Sequence, residues 1–169
     1  MILPFIEPED DIYINISVLL LLINALAKTN RGTLKLNNNR LHVFLYLLKN
    51  PTALNKVLSV LGKGSVILQD RDTYSVTSIS PNIDPLFDRK ALKSLLSVLV
   101  AKKLVSVTYK KGDGFFYCLS ESGGNTVSRL NDEYLIEIRQ LCEKLKALLS
   151  YTEGQLNKTI NRIIRMEVV

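Results

Sequence analysis

The sequence has no tryptophan, a single histidine, two cysteines and two methionines among its 169 residues. These scarcities remove several kinds of chemistry. Cys118 and Cys142 lack the paired spacing of a zinc site, and with no secretion signal pattern they do not suggest a disulfide framework. The expectation is a chain of the reducing cytoplasm with no metal and no cofactor. His42, the lone imidazole, has no second histidine or cysteine near it and no identifiable nucleophile to serve, so a packed helix residue is the simpler reading. No phosphate loop, nucleophile elbow or metal-binding helix motif occurs, which leaves a hydrolase without a catalytic constellation. Long apolar runs are also missing. The most apolar stretch, residues 12–27, falls short of the about 20 residues that a bilayer crossing needs, and Asn15 and Asn24 interrupt it.

What is present is the composition of a globular protein, 47% hydrophobic and 22% charged. At this length a fold removes about 70% of the unfolded surface from water, enough for a core without staples. One domain is the default and two small ones are the alternative. The 22 basic against 16 acidic residues give a formal charge of +6, a surplus that permits contact with phosphate without demanding it.

Along the chain, residues 2–11 read as an extended arm, with Pro4, Pro8 and the acidic run Glu9-Asp10-Asp11. Its Leu3, Phe5 and Ile6 are candidates for contact with the body or with a partner. A helix over 13–28 is apolar nearly all round and therefore central. Thr33-Leu34-Lys35-Leu36 alternates as a short strand does. Asn37-Asn38-Asn39 offers a cap to a helix over 40–49 with Leu41, Phe44, Leu45 and Leu48 on one face. Pro51 starts the next helix, whose buried row is Leu54, Leu58 and Leu61, and Gly62 and Gly64 stop it. Residues 65–69 resemble a strand, and a polar connector with Pro81 and Pro85 separates two halves.

The second half opens at Asp88, an expected N-cap, on a helix over 89–103 that buries Leu92, Leu95, Leu96 and Leu99 and turns Lys90, Lys93, Ser94 and Ser97 outward. Strands over 104–109 and 115–119 flank Lys110-Lys111-Gly112-Asp113-Gly114, where Asp-Gly signals a hairpin. The C-terminal part differs in kind: Leu135, Ile138, Cys142, Leu145 and Leu149 recur three and four apart. Thr152 and Gln155 have capping-box spacing ahead of a last helix with Leu156, Ile160, Ile163 and Ile164 inward. The fold class is thus mainly α with a small β-hairpin (α+β): a winged helix-turn-helix followed by a C-terminal helical hairpin, with a degenerate second winged-helix half as a further option. The layout is an arm over 1–12, a helical half over 13–80, a winged-helix half over 81–130 and C-terminal helices over 131–169.

Two candidate surfaces emerge. Lys90, Lys93 and Ser97 on the helix, with Lys110 and Lys111 at the wing tip, form a surface for loose contact with nucleic-acid phosphates. The row lacks the Arg, Asn and Gln cluster that reads base edges, and a solvated lysine face is the competing explanation. The apolar row Leu135, Ile138, Leu145 and Leu149 either folds back onto the core or is offered to another chain, and sequence leaves both open. Asp70 and Asp72 suit a hydrated turn better than a metal pair.

The segments Leu34-Lys35-Leu36, Arg40-Leu41-His42-Val43-Phe44-Leu45-Tyr46-Leu47-Leu48-Lys49-Asn50-Pro51 and Phe87-Asp88-Arg89-Lys90-Ala91-Leu92, continuing to Leu104-Val105-Ser106-Val107, together resemble the middle component of bacterial three-component antiviral systems of the Lamassu type. The likeness lies in element order and hydrophobic texture and runs from about Leu19 to the final helices. It implies a small winged-helix subunit that accompanies an ATPase similar to structural-maintenance-of-chromosomes (SMC) proteins and an effector, commonly a nuclease. Such a subunit is an adaptor holding effector and ATPase together until foreign DNA is sensed. The chain is more loosely similar to the tandem winged-helix elements that bind linker subunits of chromosome-organising complexes. The alternative is a winged-helix transcription regulator, since Leu119-Ser120-Glu121-Ser122-Gly123 resembles the segment after the wing in many repressors. In that case the C-terminal helices form a homodimer on a two-fold DNA site.

Overall fold

The computed structural model of the protein describes residues 11–68 and 89–167, and its first element is a helix capped by Asp11. The Asp11 carboxylate accepts from the Tyr13 and Ile14 amides at 2.8 and 3.4 Å, and α1 (Ile12–Leu26) follows. Val18, Leu19, Leu20, Leu21, Leu22 and Ile23 are all buried, which an α-helix achieves only with neighbours on every side. Its heaviest packing is against α6 (Glu133–Leu145).

The alternation at 33–36 predicts a strand, but among the described residues only isolated bridges form, Lys28 with Leu34 and Asn37 with Phe116. Asn37 caps α2 (Asn38–Lys49), accepting from the Arg40 amide at 3.0 Å, so the extended stretch is short and finds no edge on which a ladder builds. The predicted apolar face of α2 is there, with Leu41, Phe44 and Leu48 buried and Leu45 half-buried. His42, Val43, Tyr46 and Leu47 are buried as well, so the helix is enclosed more fully than one face implies. Pro51 opens α3 (Pro51–Val60), which buries Leu54, Val57 and Leu58 and leaves Leu61 half-buried. Gly62 ends it in the left-handed region at φ +65°, with the Lys63 amide donating back to Leu58 O at 2.8 Å. Residues 65–68 form no strand: among the described residues no strand pairs with them, the Val66 amide donates to Asn55 Oδ1 at 2.9 Å instead, and Ile67 is 91% exposed.

The expected cap Asp88, the connector with Pro81 and Pro85, the carboxylates Asp70 and Asp72, Gln69 and the arm residues Leu3, Phe5 and Ile6 lie outside the described residues. The chain is next described at α4 (Arg89–Ala101), which buries Leu92, Leu96 and Leu99 and half-buries Leu95. β1 (Val105–Lys110) and β2 (Gly114–Leu119) pair antiparallel, from Val105 opposite Leu119 to Lys110 opposite Gly114. The turn is a three-residue loop, 111–113, with Gly112 in it at φ +90° and Gly114 directly after it at φ +86°, a longer connection than the two-residue turn that Asp-Gly favours. The Tyr117 amide donates to Leu36 O at 3.1 Å, so the segment before α2 lies along the hairpin.

Sequence reading did not anticipate α5 (Glu121–Ser128), since Gly123 and Gly124 weaken any helical signal. Ser120 caps it, accepting from the Gly123 amide at 3.0 Å. Arg139 on α6 closes its other end by donating to the Val127 and Leu130 carbonyls. After α6 come a short 3-10 turn, Lys146–Leu148, and α7 (Glu153–Glu167). The capping box forms as spaced: the Thr152 amide donates to Gln155 Oε1 at 2.9 Å and the Gln155 amide to Thr152 Oγ1 at 3.2 Å. Leu156, Ile160 and Ile163 are buried and Ile164 is half-buried. Among the described residues there are seven α-helices and one two-stranded antiparallel hairpin, an α+β fold with winged-helix-like order.

The row Leu135, Ile138, Cys142 and Leu145 faces inward and is buried, with Leu149 half-buried. Of the two alternatives for this row, the fold shows packing onto the chain's own core. The Cys142 thiol is pushed from its ordinary 9.0 up to about 12, chiefly by burial and next by Glu143, with Arg139 and Lys146 opposing. Cys142 is therefore expected to resist a thiol reagent in the folded protein at pH 8 and to react on unfolding, while half-buried Cys118 reacts first. The raised value has a linkage consequence. The stability that Cys142 contributes is fully present below its ordinary value and is lost as pH rises toward about 12, so part of any alkaline fall in melting temperature should disappear in Cys142→Ala.

Candidate nucleic-acid interface

The candidate surface starts from the amphipathic pattern of α4. With Leu92, Leu96 and Leu99 turned to the core, Lys90, Lys93, Ser94 and Ser97 are exposed. Ser97 Oγ donates to Lys93 O at 2.8 Å, so its hydroxyl proton is engaged within the helix and the cationic contribution comes from the lysines. Arg89 Nη1 donates to Asn39 Oδ1 at 2.7 Å and ties the start of α4 to α2.

The end of α4 shows something the sequence pattern did not. The Leu104 amide donates to Leu99 O and the Lys103 amide to Val100 O, each at 3.0 Å, the paired bonds of a Schellman cap. The left-handed position of that cap, occupied by glycine at the end of α3, is here Lys103 at φ +59°. A side chain in that conformation costs roughly 1–2 kcal/mol, and strain of this kind clusters at functional surfaces. Lys103→Gly is accordingly expected to raise the melting temperature while removing a cation from the joint between helix and hairpin. Thermal unfolding monitored by circular dichroism checks this directly.

Lys102 and Lys103 are exposed at the base of the hairpin and Lys110 and Lys111 at its tip, with Lys110 Nζ 5.2 Å from the Phe116 ring centroid. Residues 89–112 contain seven of the chain's 22 basic residues and none of its 16 acidic ones. The excess charge of the protein is thus concentrated on α4 and β1. Sequence reading placed Lys90, Lys93, Ser97, Lys110 and Lys111 on this surface; the structure shows all five exposed and adds Lys102 and Lys103. Beside these lysines, Val107, Tyr109 and Phe115 are 40%, 63% and 48% exposed. Cations at this density can neutralise phosphates, while the outward residues of α4 supply few groups able to tell one base pair from another.

The second polar feature is a cleft of about 320 Å³ lined by Asn39, Arg40, His42, Arg89 and Glu153 among others. Its charged groups hold the fold together. Glu153 accepts from Asn37 Nδ2 at 2.6 Å and Asn39 Nδ2 at 3.2 Å, and Arg40 Nη2 donates to Tyr151 O at 2.6 Å. Burial lowers the Arg40 pKa from its ordinary value and Glu153 partly restores it. His42 is buried on this side of α2, consistent with a packed residue. Among the described residues no three His, Cys, Asp or Glu side chains gather as a metal site, and no helix is long and apolar enough to cross a membrane.

The class these observations define is a helical module with a winged-helix-like hairpin whose exposed chemistry is cationic. Residues 26–158 match the family described as ABC-three component (ABC-3C) system Middle Component 4, well over half of the chain, so the protein belongs to that family. No match is found among curated proteins or among solved structures.

Proposed function

We propose that the protein is a non-catalytic adaptor of a bacterial anti-phage or anti-plasmid defence complex of the Lamassu type, bridging an SMC-like ATPase and an effector nuclease in the cytoplasm. In this reading it restrains the effector until foreign DNA is sensed, and the face of α4 and the hairpin makes sequence-blind contact with nucleic-acid phosphates. The observation that carries the reading is membership of a middle-component family, since a middle component implies partner components. The clustering of cations on residues 89–112 supports the nucleic-acid contact. The regulator alternative is weakened, because the α6 row that a homodimer needs is already buried in the chain's own core.

Co-expression of the three components tests the bridge. ATPase and effector are expected to co-purify with this chain present and to separate when it is omitted; co-purification without it overturns the bridging role. For the nucleic-acid contact, four phosphates neutralised by Lys90, Lys93, Lys110 and Lys111 correspond to a log affinity against log salt slope of about −4 on duplex DNA. Replacing all four by glutamate is expected to abolish binding in an anisotropy titration. Tight, sequence-selective binding at physiological salt would favour the regulator instead.

A further inference from the structure

The hairpin register puts Val107, Tyr109, Phe115 and Tyr117 on one face, Val107 opposite Tyr117 and Tyr109 opposite Phe115. Toward the core this face is covered, with Val105 and Tyr117 buried, but toward the tip it is open. The Tyr109 and Phe115 rings meet at 54° with centroids 5.2 Å apart, so neither ring covers the other and both stay largely exposed. Two aromatic rings held on a rigid hairpin, away from the core, contribute little to folding and cost water contact.

The surroundings indicate the occupant. β1 carries cations at both ends, Lys102 and Lys103 before it and Lys110 and Lys111 at its close, separated by about 20 Å of strand. No carboxylate occurs in residues 89–112, and Asp113 in the turn is the first. A protein partner seated on an apolar face does not call for this one-signed charge. A polyanion that also carries flat apolar faces does, and in duplex form those faces are stacked away inside the helix.

We propose that the hairpin tip binds single-stranded nucleic acid, with unpaired bases stacking on Tyr109 and Phe115 and the flanking phosphates on Lys102, Lys103 and Lys111. This rests on the nucleic-acid contact proposed above and adds a preference: the tip distinguishes opened strands from intact duplex. Stacking on an aromatic face is tolerant of sequence because every base offers a π surface.

The test is fluorescence anisotropy of the full chain with labelled oligothymidine and with a duplex of equal length, at fixed low salt. The expected result is at least about tenfold tighter binding to oligothymidine, a difference within the range of one stacked base. Tyr109→Ala with Phe115→Ala is expected to erase that preference while leaving duplex affinity within about twofold, again by the stacking range. Both positions are solvent-exposed, and an unchanged melting curve verifies the fold. Tyr109→Leu with Phe115→Leu keeps apolar area but removes the π faces, so it is expected to behave as the alanine pair. Retained preference in the leucine pair would overturn stacking, because apolar area alone would then account for the contact with the bases. Equal affinity of the unmodified chain for both ligands also overturns the proposal, and loss of that binding in the lysine-to-glutamate variant would then show that the phosphate contact itself stands. Binding to neither ligand overturns both, leaving the adaptor role to the co-purification experiment.

Discussion

Leu135→Asp combined with Leu145→Asp is expected to abolish cooperative folding. Both side chains are buried, Leu145 completely, on α6, which packs most heavily against α1. Removing each leucine forfeits about 2–5 kcal/mol once the cavity is counted, and a carboxylate left in that position adds several kcal/mol of desolvation. A protein of this size has about 5–15 kcal/mol to lose. The checkable outcome is a circular-dichroism melt without a sigmoidal transition, at any partner concentration. A variant that melts normally yet no longer co-purifies with its partners would instead place this row on an outer surface. The same substitution thus separates an internal α6 from an interaction helix, and the depth of burial predicts the first.

Elements whose signal is local were the legible ones. Asn37 ahead of α2, Pro51 at the start of α3 and the Thr152 to Gln155 box are each decided within four residues, and each forms as the pattern predicts. Signals that depend on a distant partner misled. Alternation at 33–36 is real, but a strand needs an edge to pair with, and among the described residues only single bridges to Lys28 and Phe116 form. The apolar stretch at 65–68 meets no edge among the described residues. For the candidate surface, the lysines were readable because charge on an amphipathic helix points outward by default. Tyr109 and Phe115 were not, because in sequence an aromatic on an alternating strand looks like core; only their exposure in the fold shows that they are not. Lys103 escaped because the left-handed residue of a helix cap is ordinarily flagged by glycine.

Gly123 and its neighbour Gly124 provide the second large expected effect, through opposite outcomes of the same substitution. Both lie in α5, where alanine is ordinarily better than glycine by about 1 kcal/mol. At Gly124 a methyl group meets nothing within 4 Å, so Gly124→Ala is expected to leave stability unchanged or slightly raised. At Gly123 the methyl would overlap the Leu104 carbonyl oxygen and crowd Leu119. That oxygen belongs to backbone and already accepts from the Ser120 amide at 3.0 Å, while Ser120 Oγ donates to Lys103 O at 2.7 Å. No side chain can rotate to make room, so α5 must move off the hairpin base or the cap at Ser120 must break. The expected cost of Gly123→Ala is about 3 kcal/mol, at the upper end of ordinary overpacking. In a chain of this size that lowers the melting temperature by about 6–12 °C. Because α5 buttresses the joint that carries Lys103 and aims the hairpin, Gly123→Ala should also weaken nucleic-acid binding under conditions where the variant is still folded. Equal melting temperatures for the two glycine variants would mean that α5 is not seated on Leu104, and the orientation of the hairpin would then need another support.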